Sequence, residues 1–258
     1  MEETGKNPIQ VAERLFQVIE RLAENGPMGI MDLSAELGFH KSTTHRLVTS
    51  LQYMGYIRQD EESLKYALSL KFLEIGSKIL EQTNMASLIH PSLKKLSEQT
   101  GETVHLVRRE GTEAVYIDKV ESTVSSIRMV SRVGSRIPLY CSGVGKALLA
   151  ELPDPEIEDI SNSSEITSLT PYTVTSLSDL MDRIRGVREA GFAMDDEENE
   201  EGVRCIAVSI PDYHKEPVYA LSISAPVSRM TDARIAELST DVLTFKKDLE
   251  KTLGFSRS

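Results

Sequence analysis

The stretch LGFHKSTTHRLVTSLQYMGYIRQ, which runs from Leu37 to Gln59, contains no aspartate or glutamate. It lies in a chain of 258 residues whose formal net charge is −11. The same stretch holds three lysine or arginine side chains and two histidines. Either this local excess of positive charge arose by chance, or the stretch must lie against a negatively charged surface.

Three short helices are predicted in and before this stretch. Apolar residues recur at three- and four-residue spacing from Val11 until Gly26 ends the pattern. A second, short helix begins near Asp32 and ends at Gly38, where a residue without Cβ tolerates a positive φ. A third helix is predicted from about Ser42 to Met54. A helix, a short helix, a tight turn and a final helix form a helix-turn-helix, whose last helix enters the major groove of DNA.

The third helix separates its apolar residues from its polar ones. Leu47, Val48 and Leu51 fall on one side, and hydroxyls, an imidazole and a guanidinium fall on the other. Because DNA carries about one negative charge per 1.7 Å of axis, carboxylates on this side would be repelled. A guanidinium can instead donate two hydrogen bonds to guanine. The predicted DNA contacts are Lys41, Ser42, Thr43, His45, Arg46, Thr49 and Arg58.

A predicted pair of strands follows the third helix. Gly55–Arg58 and Leu64–Leu68 flank a polar turn, as the strands of a wing do, and Arg58 is well placed for a phosphate. The competing interpretation is a small helical domain whose polar face is only solvated. Residues 1–68 carry a net charge of −3. Affinity for DNA would therefore come from a local patch, which a dimer would duplicate.

The remaining residues predict a connecting helix and a second domain. In residues 69–82, Phe72, Ile75 and Ile79 form a narrow apolar seam that could pack against a partner helix or against its own domain. Beyond it, predicted strands and helices favour an α+β fold in which helices flank an antiparallel sheet. We therefore predict a DNA-binding domain at 1–68, a linker helix at 69–83 and an effector-binding domain at 84–258. The predicted strands are 103–108, 114–120, 126–133, 204–210 and 218–225, and the predicted helices are 85–100, one from Val144, 176–190 and 231–253.

Two predicted strands carry small residues on one face. Cys205, Ala207 and Ser209 alternate with larger residues, as do Ala220, Ser222 and Ser224. Such a face either packs closely against a helix or leaves a partly polar cavity. The nearby GVGK motif gives a helix N-terminus that can bind an oxyanion, although it is not a phosphate loop. In the acidic run 195–201, we expect residues 197–201 to be solvated, whereas Asp195 is nearer the strand and could turn inward.

Several classes of protein are disfavoured. No run of about 18 apolar residues exists to span a membrane. The two cysteines, Cys141 and Cys205, suggest neither a disulfide framework nor a metal site, which favours a cytoplasmic protein. Neither a Ser/His/Asp arrangement nor a dinucleotide fingerprint emerges, so we expect no enzymatic activity, no cofactor and no metal. The alternative is a metabolite-binding signalling module or an enzyme whose first domain makes protein contacts.

Four motifs together resemble the IclR family of bacterial transcriptional regulators. They are STTHRLVTSLQYMGYIRQ, RVGSRIPLYCSGVGKALLA, GFAMDDEENEEGVRCIAVSI and ALSISAPVSRMT, and they occur in the family's order. The resemblance covers about residues 8–255. The segments KYALSLKFLEIG, ETVHL, IRMVSRVG and NEEGVRCIAV are most similar to the branch that represses catabolism of 2-keto-3-deoxygluconate and related sugar acids.

The resemblance implies a winged helix-turn-helix domain, a linker helix and a GAF-like effector domain. It also implies homodimers or dimers of dimers, double-stranded operator DNA as a partner and a small organic acid as the effector. The protein would then be a repressor of a sugar-acid or keto-acid operon. Arg128 or Arg132 could supply a counter-charge for the acid. The effector contacts that the resemblance implies are Gly143, Val144, Asp195, Cys205, Ser222 and Ser224, and Met129 and Val203 are expected to form an apolar wall.

Overall fold

The computed structural model describes residues 8–82, 85–122, 130–212 and 214–253. The chain divides into two compact units, 1–83 and 84–258. Within the described ranges, no helix is long and apolar enough to cross a membrane.

The first unit contains three helices, a two-stranded sheet and a fourth helix. Gly38 takes a left-handed conformation (φ 65°) between the second and third helices and lets the chain reverse. The core is formed by the apolar sides of the first three helices together with the first strand, as Val18, Leu33, Val48 and Ile57 illustrate. The elements are α1 (Gln10–Asn25), α2 (Ile30–Leu37), α3 (Lys41–Tyr53), β1 (Ile57–Gln59), β2 (Tyr66–Leu68) and α4 (Lys71–Gln82).

The wing is a short antiparallel hairpin in which Arg58 pairs with Ala67. A bridge between Met28 and Tyr66 connects its second strand to the helical core. At the start of α4, the Phe72 ring packs on Tyr56 with 5.2 Å between ring centroids. This part of the predicted seam therefore docks on its own unit. The side chain of Ile79, the last seam residue, lies outside the described residues.

The second unit is built on one six-stranded antiparallel sheet with the order β5-β4-β3-β8-β7-β6. Its strands are β3 (Thr103–Glu110), β4 (Glu113–Val120), β5 (Arg136–Pro138), β6 (Ala193–Asp196), β7 (Val203–Ile210) and β8 (Tyr219–Pro226). Its helices are α5 (Met85–Thr100), α6 (Gly143–Ala150), α7 (Asp154–Ser163), α8 (Leu177–Ala190) and α9 (Asp232–Thr252).

The two faces of this sheet differ in side-chain size. The bulky face, with Ile206, Val208 and Ile223, packs on α5 and α9. The small face, with Ala207 and Ala220, packs on α6, α7 and α8. The helices α5 and α9 therefore cover one face of the sheet, and α6, α7 and α8, which lie between β5 and β6 in the chain, cover the other. The fold is α+β with helices on both sides of an antiparallel sheet, as the predicted strands and helices indicated.

Three details differ from the sequence-based expectations. Of the strand expected at 126–133, residues 123–129 lie outside the described residues, and residues 130–133 form no strand. The chain turns there and forms the three-residue strand β5 afterwards. The helix α7 is not among the predicted elements. The edge strand β6 is not predicted either, because it spans only four residues and two of them belong to the acidic run.

Candidate functional site

The polar side of α3 is exposed along its length. Lys41, Ser42, His45, Arg46 and Thr49 are exposed, and Thr43 is half-buried. The Thr49 hydroxyl lies 3.4 Å from Nδ1 of His45, one turn earlier. On β1, Arg58 is also exposed. All seven predicted DNA contacts thus lie on α3 or β1 of the first unit, and their polar groups are available to a groove.

The wing tip is acidic, unlike the strand that carries Arg58. An Asp60 carboxylate oxygen accepts hydrogen bonds from the N–H of Ser63 (2.8 Å) and from its hydroxyl (2.7 Å). These bonds lower the pKa of Asp60, so the turn keeps a negative charge. Glu61 and Glu62 are exposed beside it. The tip would therefore be repelled by phosphates, and α3 and Arg58 are the surfaces suited to DNA.

In the second unit, the register of the sheet places the predicted effector residues in two neighbouring rows. Asp195 pairs with Cys205, and Cys205 pairs with Ser224. In the adjacent row, Ala207 pairs with Ser222. Val203 lies two residues before Cys205 and therefore shares its face, and it is half-buried. Residues far apart in sequence thus meet on one side of the sheet.

The start of α6 lies directly over these rows. A Cβ added to Gly143 would be 3.4 Å from the backbone nitrogen of Asp195 and 3.5 Å from Cβ of Ala207. The Ser142 hydroxyl caps the helix by accepting from the N–H of Gly145 at 3.1 Å. The Val144 side chain is buried in the core beneath α6. Close packing, one of the two alternatives for the small-residue face, therefore holds at Ala207.

Gly145 is a structural requirement that the sequence did not reveal. A Cβ at this position would be 2.2 Å from the carbonyl oxygen of Leu139 and 2.3 Å from its Cα. Because both are backbone atoms, no side-chain rotation relieves such a contact. The second glycine of GVGK therefore lets the chain before α6 cross the helix closely.

A buried histidine joins the two serines, and the sequence-based site does not include it. His105 on β3 pairs with Ser222 on β8, and its side chain is buried. Its Nδ1 lies 3.4 Å from the Ser222 hydroxyl and 3.3 Å from the Ser224 hydroxyl. Burial, together with the nearby charge of Lys119, lowers the pKa of His105 to about 3, so the imidazole is neutral. Its position as the one histidine in a predicted strand was the available signal.

Asp195 turns inward as expected and is buried. One carboxylate oxygen accepts hydrogen bonds from the N–H groups of Glu198 (2.8 Å) and Asn199 (3.3 Å). Burial raises the pKa of Asp195 to about 7, although the charge of Lys146 opposes the shift. Burial also raises the pKa of the Cys205 thiol, which keeps it protonated. Near neutral pH, Asp195 can thus either accept or donate a hydrogen bond.

The expectation that residues 197–201 are all solvated is wrong for Glu198. Its side chain is buried and forms a salt bridge with the buried Lys146 of α6. The Thr173 hydroxyl donates to the Glu198 carbonyl at 2.7 Å, and that of Thr170 donates to the Glu197 carbonyl at 2.7 Å. Two charges of opposite sign can share this buried position, whereas either one alone would be costly. An acidic run in sequence does not indicate which carboxylate has a buried partner.

Some predicted positions cannot be placed in the site. Met129 and Arg128 lie outside the described residues. Arg132 is exposed, so it does not act as a buried counter-charge. In the part of the chain that the structure describes, no group of three or more histidine, cysteine or acidic side chains could hold a metal ion.

Comparison with known proteins identifies both units. Residues 11–61 match the IclR helix-turn-helix domain, and residues 77–250 match the C-terminal domain of the bacterial transcriptional regulator IclR. The acetate operon repressor of Salmonella typhimurium is 36% identical over 96% of this chain and 92% of its own length. KdgR of Escherichia coli, a helix-turn-helix transcriptional regulator, is 34% identical over 97% of this chain and 95% of its own length.

A solved structure supports the same assignment. The crystal structure of Thermotoga maritima IclR is 31% identical, covers 95% of this chain and 99% of its own, and superposes with a TM-score of 0.64. Both the matched domains and the full-length relatives agree with the architecture described above. The chain belongs to the IclR family of bacterial DNA-binding transcriptional regulators.

Proposed function

We propose that the protein is a cytoplasmic, effector-responsive repressor of an operon for catabolism of a sugar acid or keto acid. Residues 1–68 would bind operator DNA, residues 69–83 would form the linker helix, and residues 84–258 would bind the acid. The observation that carries the proposal is the pairing of two features in one chain. The exposed side of α3 lacks carboxylates, and a buried group of serine hydroxyls lies on the sheet of the other unit.

The hydrogen-bond donors of the proposed effector site suit a carboxylate. Ser222 and Ser224 supply hydroxyls from β8, and the first N–H groups of α6, at Gly143 and Val144, belong to a helix N-terminus. Hydroxyl and N–H donors of this kind bind oxyanions. Asp195, whose pKa is raised to about 7, can donate to the acid when protonated. A protonated Asp195 removes the repulsion that two carboxylates would otherwise have.

The relatives favour an organic acid. The acetate operon repressor is named for an operon of a carboxylic acid, and several segments of this sequence resemble the sugar-acid branch. On the same face of the sheet, Cys205 beside Ser224 and Val203 two residues before it add a less polar surface next to the serines. We expect an acid with a short or hydroxylated chain, whose carboxylate these donors would bind.

Repression would be relieved by linkage between two sites. The acid binds one geometry of a homodimer, or of a dimer of dimers, better than the other. Its binding then changes the spacing of the two α3 helices and hence the affinity for the operator. Half-sites on one face of DNA lie about 34–36 Å apart, so a shift of a few ångströms is sufficient.

The test removes the serine hydroxyls. In a gel-shift titration with DNA from upstream of its own gene, the wild-type protein should be released by 2-keto-3-deoxygluconate or by pyruvate. The double variant Ser222→Ala/Ser224→Ala should need at least about tenfold more acid, because each lost hydrogen bond is worth about 1 kcal/mol. Ser161→Ala/Ser164→Ala, which alters one serine of α7 and the serine that follows this helix, is the matched control and should behave as wild type. An unchanged response in the first double variant would remove these serines from the site.

A further inference from the structure

His105 is placed to control the two serine hydroxyls, and this inference rests on the proposed function. Its ring is 2% exposed and stacks edge-on against Tyr116 at 5.1 Å between ring centroids. One ring nitrogen, Nδ1, faces Ser222 and Ser224, whose own hydroxyl oxygens are 3.4 Å apart. The other nitrogen, Nε2, lies 2.7 Å from the Ser131 hydroxyl. The imidazole thus connects the serine pair on β8 with the segment before β5.

A neutral imidazole has one donor nitrogen and one acceptor nitrogen. If Nδ1 is the acceptor, a serine hydroxyl must donate to the ring and cannot donate to a bound acid. If Nδ1 carries the proton, it donates to a serine oxygen and both serine O–H groups remain available. In that case Nε2 accepts from the Ser131 hydroxyl, whose distance of 2.7 Å is typical of a good hydrogen bond.

The surroundings of Ser131 are compatible with this second arrangement. Lys119 Nζ donates to the backbone carbonyl of Ser131 at 2.9 Å. The ammonium therefore holds the residue while its hydroxyl remains free to rotate. It also adds positive charge near the ring, which opposes a doubly protonated imidazole. A single proton on the ring is thus retained, and only its position changes.

We propose that His105 is a positioning residue for recognition of a carboxylate. In the acid-bound state its Nδ1–H donates to a serine oxygen of the Ser222 and Ser224 pair, and its Nε2 accepts a hydrogen bond from the Ser131 hydroxyl. Both serine hydroxyls then donate to the acid. If the free protein holds the other tautomer, one proton leaves Nε2 and one arrives at Nδ1 by exchange with water, so the net charge of the ring is unchanged. Binding of the acid is thereby coupled to the direction of the Ser131 hydroxyl.

Two substitutions separate the two ring nitrogens. His105→Asn places an amide near the position of Nδ1, and His105→Gln places one near the position of Nε2. Calorimetric titration of the full-length protein with pyruvate and with 2-keto-3-deoxygluconate measures the dissociation constants. Asn should keep the affinity within about threefold of wild type, whereas Gln should weaken it by about tenfold or more, as expected for loss of one hydrogen bond. Equal affinities of His105→Gln and wild type would overturn the proposal.

The wild-type protein offers an independent measurement that does not depend on how the variants fold. Nitrogen-15 NMR of the labelled imidazole distinguishes a protonated ring nitrogen from a bare one. With saturating acid, the His105 signals should show a protonated Nδ1 and a bare Nε2. The reverse pattern, or a doubly protonated ring, would overturn the proposal. If the wild-type protein binds neither acid, the proposed effector class is wrong and the role of His105 falls with it.

Discussion

Arg46 lies on the exposed side of α3 and carries the guanidinium best suited to a base edge. We expect Arg46→Ala to weaken operator binding by about 1–3 kcal/mol, because a bidentate contact to guanine would be lost. A gel-shift titration at fixed salt measures the change. The control is Arg185→Ala, since Arg185 is exposed on α8 of the other unit and pairs only with its helix neighbour Asp182 among the described residues. Equal operator affinities for the Arg46 and Arg185 variants would exclude the proposed role.

The raised pKa of Asp195 predicts how the stability of the protein depends on pH. Its pKa is raised from 3.8 to about 7, so the folded protein holds the proton more tightly than the unfolded chain does. The stabilising effect of that proton is present at low pH and is lost as the pH rises from about 4 to about 7. Asp195→Asn removes this dependence while its amide oxygen can still accept the two N–H groups. Urea unfolding curves give the free energy of unfolding of each protein. The value for the variant minus that for wild type should therefore increase by about 2 kcal/mol between pH 5 and pH 7.

Above pH 7 the same difference should level off, because Asp195 is then ionised in both states. A difference that is constant from pH 5 to pH 8 would mean that the folded carboxyl titrates normally.

Individual site residues could be predicted only where the local pattern exposes them. The alternation of small residues along one strand pointed to Ser222 and Ser224. His105 did not follow from such a pattern, because its pairing with Ser222 depends on a sheet register that spans more than a hundred residues. The pairing of Glu198 with Lys146 was equally hidden, since the acidic run offers several similar carboxylates. The sequence thus identifies which face of a strand carries small residues. The register of the sheet identifies which residues of the neighbouring strands lie beside them.

At the scale of elements, α6 depends on a close backbone crossing. We expect Gly145→Ala to destabilise the second unit by about 1–3 kcal/mol or more, because the new methyl group would overlap backbone atoms of Leu139. Thermal unfolding followed by circular dichroism measures the effect.

The matched control is Gly186→Ala on α8, where a Cβ would have no heavy atom within 4 Å. It should stabilise the protein by about 0.5–1 kcal/mol, because alanine favours helix more than glycine does. Similar effects of the two substitutions would show that the crossing at Leu139 is not constrained.

Helices with a clear apolar repeat were easier to predict than short strands. The positions of α3 and α5 follow from their apolar repeats and from two glycines, because Gly38 ends the helix before α3 and Gly101 ends α5 itself. The strand β5 has three residues and β6 has four, which is too short for a pattern of alternation to be recognised. Their positions are decided by the neighbouring strands to which they bond.

At the scale of the whole molecule, a negative protein must bind a polyanion through one patch. The net charge of the chain is −11, so contacts to phosphates depend on the few basic side chains of this patch. Because ion release accompanies each phosphate contact, the affinity for DNA should fall steeply as the salt concentration rises. The logarithm of the binding constant should fall linearly with the logarithm of salt concentration. Arg58→Ala should reduce the magnitude of this slope by about 1 per protomer bound, as expected for one lost phosphate contact.

Lys94→Ala, in α5 of the other unit, is the control and should leave the slope unchanged. A slope near zero for the wild-type protein would favour a first domain that makes protein contacts instead of DNA contacts.

The order of strands in the large sheet also has a consequence for synthesis. The central neighbours β3 and β8 come from opposite ends of the second unit. During synthesis, β3 (Thr103–Glu110) cannot pair with β8 (Tyr219–Pro226) until β8 has been made, so the two halves of the sheet join late. At ribosomal speeds that delay is about 5–20 s, during which the first hairpin has an open edge. A nascent chain interrupted between these strands would be a substrate for chaperones or a seed for aggregation.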